Sequence, residues 1–139
     1  MKKVKFCSFL LITLFAGLFI ACSSDDDDYD LSTLTQEQIE TNLIGTWKYV
    51  ESGGEAGEEW THNGTWQFFA DGNLKTHEEG WRDDTFTWNV EQDNGKWYII
   101  WHHEEYEIVR MSSNSFEVYE EIHNGSRVVG YSRYTCKRQ

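Results

Sequence analysis

Thr85-Phe86-Thr87-Trp88-Asn89-Val90-Glu91 alternates without a break: Phe86, Trp88 and Val90 lie on one face, Thr87, Asn89 and Glu91 on the other. A period of two marks a half-buried strand. Asn94-Gly95 follows, a strong type I′ hairpin signal, and Lys96 to His102 runs back from it. The same pattern repeats on both sides. Upstream, Ile44 to Val50 and Thr65 to Ala70 read as strands; the second ends at the turn Asp71-Gly72, and Asn73 to Glu78 makes its other arm. Downstream come Glu105 to Met111, Ser115 to Ile122 and Arg127 to Lys137, with turns at Ser112-Ser113-Asn114 and Asn124-Gly125.

Eight short strands joined by tight turns, with no long helix between them, define an all-β domain. Such a series closes into an up-and-down barrel or folds over as a sandwich. Closure removes exposed edges, and eight strands leave an interior wide enough for side chains or one small ligand. The chain holds no proline, which would delete a ladder hydrogen bond in a central strand. The expectation is an eight-stranded antiparallel up-and-down barrel over residues 41–139. A short helix precedes it: Thr35 can cap with Gln38, Leu34 can meet Ile39 across that cap, and the helix should end near Asn42-Leu43.

Leu43-Ile44-Gly45-Thr46-Trp47, a Gly-x-Trp opening the first strand after a short helix, is similar to the lipocalin signature. With Trp66-Gln67-Phe68-Phe69-Ala70-Asp71-Gly72-Asn73-Leu74 it resembles the small lipocalin-like domains of Bacteroidota lipoproteins, over about residues 41–136. The resemblance implies a small apolar or amphiphilic ligand inside the barrel, against Trp66, Phe68, Trp88 and Trp97. It also implies structural roles for Gly45 and Trp47, and an arginine packed on Trp47; Arg133 is the first candidate and Arg127 the second. The chain departs from the family in being short and in lacking a C-terminal helix.

The first 21 residues carry an address. Met1-Lys2-Lys3-Val4-Lys5 is basic, and Phe6 to Ala21 is uncharged, apolar and too short for the ~20 residues of a spanning helix. Phe19-Ile20-Ala21-Cys22 resembles the lipobox of bacterial lipoproteins, with Phe19 in place of the usual leucine. That likeness implies a signal peptide over 1–21 and a diacylglyceryl group with an N-acyl (palmitate-type) chain on Cys22. The protein would then be held to the outer membrane by its lipid. Ser23-Ser24-Asp25-Asp26-Asp27-Asp28 resembles the surface-export tag of such proteins, and a solvated spacer explains it too. Residues 22–40 thus read as a lipidated acidic tether with a short helix.

Without the leader, 9 basic side chains face 24 acidic ones. So acidic a chain repels phosphate backbones, which excludes nucleic acid and leaves cationic proteins, metal ions or glycans as partners. Cys136 is alone in the domain and reads as a small buried residue of the last strand.

All seven tryptophans (47, 60, 66, 81, 88, 97 and 101) fall within the barrel region. Trp47, Phe68, Trp88, Phe116 and Val118 sit on faces assigned to the core. Trp60 and Trp81 lie among Glu, Gly, Asp and Thr, in stretches that read as loops, and are candidates for holding a glycan or a protein partner over a filled barrel. His102-His103-Glu104-Glu105 puts four ligand-capable side chains in a row, but neighbours on a strand point to opposite faces, and no metal or other cofactor is expected. The acid pairs Glu58-Glu59, Glu78-Glu79, Asp83-Asp84 and Glu120-Glu121 read as strand ends and solvated faces. No nucleophile or phosphate-loop signature appears, so a binding module is expected rather than an enzyme.

Overall fold

The computed structural model describes residues 27–139. The leader, Cys22 and the start of the acidic run lie outside the described residues. Among the described residues, a 3₁₀ turn (Leu31–Thr33) and a helix, α1 (Gln36–Leu43), precede eight strands. These are β1 (Gly45–Glu55), β2 (Glu58–Phe68), β3 (Asn73–Glu78), β4 (Asp84–Asp93), β5 (Lys96–Trp101), β6 (Glu104–Met111), β7 (Ser115–Asn124) and β8 (Arg127–Arg138). Each strand is antiparallel to its sequence neighbour, and β8 returns to β1 to close an up-and-down barrel. The capping box forms as read: the Thr35 hydroxyl accepts from the Gln38 amide, and the Gln38 side chain accepts from the Thr35 amide.

The largest departure from the sequence reading is the first hairpin. Ser52-Gly53-Gly54-Glu55 and Glu58-Glu59-Trp60 have loop composition, yet the β1–β2 ladder runs on through Gly53↔Trp60 to Glu55↔Glu58. Gly53 is the reason. A Cβ there would come within 2.5 Å of the Trp60 ring, so the bare backbone lets the indole lie flat across it. An aromatic ring covering a cross-strand glycine restores the packing that glycine lacks.

Alternate residues line the interior. Val90, Ile99, Val118, Leu74, Met111 and Cys136 are fully buried there. A bulge between Ile108 and Arg110 shifts the parity of β6, turning Met111 inward and Arg110 outward, where its guanidinium reaches Asp28 and Glu117. At mid-height the interior is occupied by rings. The Trp66 centroid lies 4.7 Å from Tyr134, 4.8 Å from Tyr49 and Trp101, 6.3 Å from Phe68 and Phe116, and 6.5 Å from Tyr106.

One end of the barrel is closed by α1, which buries Ile39 and Leu43 completely. Trp47 Nε1 donates to Leu43 O at 2.7 Å. The arginine on Trp47 is Arg138, not Arg133 or Arg127. Its guanidinium stands 4.1 Å over the indole and donates to the carbonyls of Asn42, Ile44 and Ser113. Parity decides this: Arg138 continues the inward stripe of Ser132, Tyr134 and Cys136, and in the register it faces Trp47 directly. Arg133 is out of phase and faces solvent, paired with Glu117 beside Tyr119. Gly45 has φ +133°, and a Cβ on it would press to 2.8 Å from Arg138 Nη1, so the glycine is required twice over.

Candidate functional site

The other end of the barrel carries no helix. The β1–β2, β3–β4, β5–β6 and β7–β8 turns ring this mouth, and inward residues just below them are polar where those deeper down are apolar. Glu51 on β1 is the hub. Its Oε1 accepts from Ser132 Oγ at 2.6 Å and from Trp60 Nε1 at 3.2 Å, and its Oε2 lies 3.3 Å from His62 Nδ1. The same His62 nitrogen stands 3.7 Å from Glu78 Oε1. Across the mouth, the Glu104 carboxyl lies within hydrogen-bonding reach of Glu120. Burial first, then the hydrogen bond with Glu104 and the charges of Glu104 and Glu51, push the Glu120 carboxyl up to about 7.

Beneath the carboxylates lie the tyrosines of the ring cluster. Burial, with help from Glu78 and Glu51, raises Tyr49 to about 12. Tyr106 and Tyr134 are also raised, again chiefly by burial, so all three phenols stay neutral donors. Trp101 and Tyr106 stack at 3.9 Å. Among the described residues no lysine or arginine pairs with Glu51, Glu78, Glu104 or Glu120. The mouth is thus a patch of net negative charge over an aromatic floor. It can accept hydrogen bonds from hydroxyl or ammonium groups, offer ring faces to a flat apolar surface, and repel anions.

The candidates read from sequence separate into two groups. Trp66, Phe68, Trp88 and Trp97 are all buried. Trp88 Nε1 donates to Phe69 O and Trp97 Nε1 to Leu31 O, bonds that tie both indoles to the backbone. Trp60 and Trp81 are at the mouth. Trp60 lies within β2, half-buried, and held by Gly53 and Glu51. Trp81 sits in the β3–β4 turn and is 73% exposed.

His102 and His103 form the β5–β6 turn, with φ of 53° and 66°, a left-handed conformation that is uncommon outside glycine but that His, like Asn and Asp, adopts more readily than most. The His102 ring packs on Phe86 at 4.9 Å. Among the described residues no group of three or more His, Cys, Asp or Glu is placed to hold a metal ion. Cys136 is fully buried in β8, as read, and burial holds its thiol well above the usual range.

Of the acid pairs expected on solvated faces, Glu58-Glu59 and Asp83-Asp84 are exposed throughout, and the other two pairs divide. Glu79 and Glu121 face outward, whereas Glu78 and Glu120 point inward. A signal was present. Glu51 continues the Trp47-Tyr49 stripe, Glu78 follows Leu74, and Glu120 follows Phe116-Val118, each at a period of two. Outside the wall, a groove of about 930 Å³ crosses β1, β2, β3 and β8, lined by outward residues such as Lys48, Val50, Thr65, Thr135 and Lys137. Comparison with protein-family models, curated proteins and solved structures finds no match for this chain.

Proposed function

We propose that the protein is a binding module of the bacterial cell envelope, anchored to the outer membrane by lipid on Cys22, whose ligand seats on the barrel mouth. One observation carries the choice of site: Trp66 is surrounded by aromatic rings on all sides, so the middle of the barrel is already filled by side chains. Recognition then falls to the groups above that plug. Trp60 is a preset indole wall, Trp81 is an exposed one, and four carboxylates from β1, β3, β6 and β7 share the mouth with them. A neutral or amine-bearing glycan fits this chemistry, with sugar faces on the indoles and hydroxyl or ammonium groups on Glu51, Glu78, Glu104 and Glu120. Such a site binds without turnover. The likeness of Phe19–Cys22 to a lipobox and of Ser23–Asp28 to an export tag supports outward display at the cell surface.

A second reading keeps the apolar or amphiphilic ligand inside the barrel, favoured by the lipocalin-like motifs and by closure into eight strands. It requires Trp66 and its neighbours to move aside.

The test is titration of residues 22–139 with neutral and amine-bearing oligosaccharides, in parallel with native mass spectrometry of the envelope-derived protein. Binding that falls at least ~10-fold in both Trp60→Ala and Trp81→Ala supports the mouth, a loss of about 1.4 kcal/mol. A retained apolar mass together with unchanged glycan binding in both variants sinks it. Cys22→Ala should release the protein from envelope membranes; a variant that still sediments with them refutes the anchor.

A further inference from the structure

The chain enters the barrel at its helix-capped end, and that has a consequence for what the mouth can reach. The Tyr29 amide donates to Met111 O at 2.7 Å, at the β6–β7 end. Just before it, the Asp28 carboxylate lies 3.6 Å from the Arg110 guanidinium. Just after it, Leu31 O accepts from Trp97 Nε1 at the start of β5. Three successive contacts therefore fasten the incoming chain to the capped end, diagonally opposite the mouth.

We propose that the capped end faces the bilayer and the mouth is held away from it. The inference rests on the lipid anchor at Cys22 proposed above. From Cys22 to Asp28 the six residue steps of a fully extended chain span at most about 22 Å. The wall is longer: β7 has 10 residues, and ten residues at ~3.3 Å each, tilted by about 40°, rise about 25 Å along the axis. To turn the mouth onto the bilayer, the tether would have to run the full height of the barrel wall. It is too short. Lying flat is opposed as well, because residues 41–139 carry 17 acidic against 9 basic side chains and are repelled by anionic headgroups. The mouth therefore meets molecules of the surrounding medium or of an opposing surface, and does not draw its ligand out of the membrane that anchors it.

The experiment supplies the anchor chemically. Residues 22–139, labelled with ¹⁵N, are coupled through Cys22 to a maleimide lipid in nanodiscs that carry a gadolinium-chelate lipid; the buried Cys136 thiol does not compete. Amide signals of the β4–β5 turn (Asn94, Gly95) and the β6–β7 turn (Ser113) should broaden several-fold more than those of the β3–β4 turn (Gly80, Trp81) and the β5–β6 turn (His102). A flexible Gly/Ser insert of roughly 20 residues after Asp26 should erase the contrast, since its reach then exceeds the barrel height. Equal or reversed broadening without the insert overturns the proposal. Because the tether is made in vitro, such a result speaks to orientation alone, whereas native lipidation is decided separately by the Cys22→Ala fractionation.

Discussion

Replacing Glu120 by glutamine tests the raised carboxyl at the mouth. In the folded protein this carboxyl is raised from 4.5 to about 7, by burial first and then by the hydrogen bond and charge of Glu104. A carboxyl raised on folding stabilises the native state most below its unfolded value, and that contribution is lost as pH rises through the folded value. Stability should therefore fall between about pH 4.5 and pH 7 on account of this one group. The full shift corresponds to about 3.4 kcal/mol at 1.36 kcal/mol per pKa unit. Glu120 is only partly buried and solvent screens it, so about 1–2 kcal/mol is the expected effect. Glu120→Gln keeps the shape and one hydrogen bond to Glu104 but cannot ionise. Urea titrations followed by tryptophan fluorescence, from pH 5 to pH 8, compare the two proteins. The wild type should lose about 1–2 kcal/mol more than the variant across that range. Both carry the same remaining acids, so their general repulsion cancels in the difference. Parallel stability curves would show that folding does not raise the Glu120 carboxyl.

Arg138→Ala should cost about 2–4 kcal/mol, since it removes the cation over Trp47 and strands three carbonyls, while Arg133→Ala, losing a solvent-exposed pair with Glu117, should cost under about 1 kcal/mol; thermal unfolding of both reads the contrast, and equal costs refute the assignment of Arg138. Gly53→Ala should destabilise by about 1–3 kcal/mol through the clash with Trp60, and the cost should disappear in a Trp60→Ala background. Additive losses in that double-mutant cycle would mean the indole does not rest on Gly53.

What the sequence determined by itself is the barrel. Period-two stripes such as Phe86-Trp88-Val90, and turn residues at Asp71-Gly72, Asn94-Gly95 and Asn124-Gly125, are local statements. Local statements of that kind decide strand number and order, because each hairpin is specified within a dozen residues. The capping box at Thr35 and Gln38 and the burial of Cys136 were legible for the same reason. What the tertiary structure decided is which strands meet, at what register, and on which side each polar residue falls. Arg138 reaches Trp47 only because β8 closes on β1, Trp60 becomes part of a strand only because Gly53 lies opposite it, and Met111 turns inward only because of a bulge at Ile108–Arg110. The mouth itself is a product of closure. Glu51, Glu78, Glu104 and Glu120 are scattered over 70 positions of the chain and come from four strands, and no local pattern relates them. Only bending the sheet into a ring places their charges together, and there burial with the neighbouring Glu104 and Glu51 raises the Glu120 carboxyl.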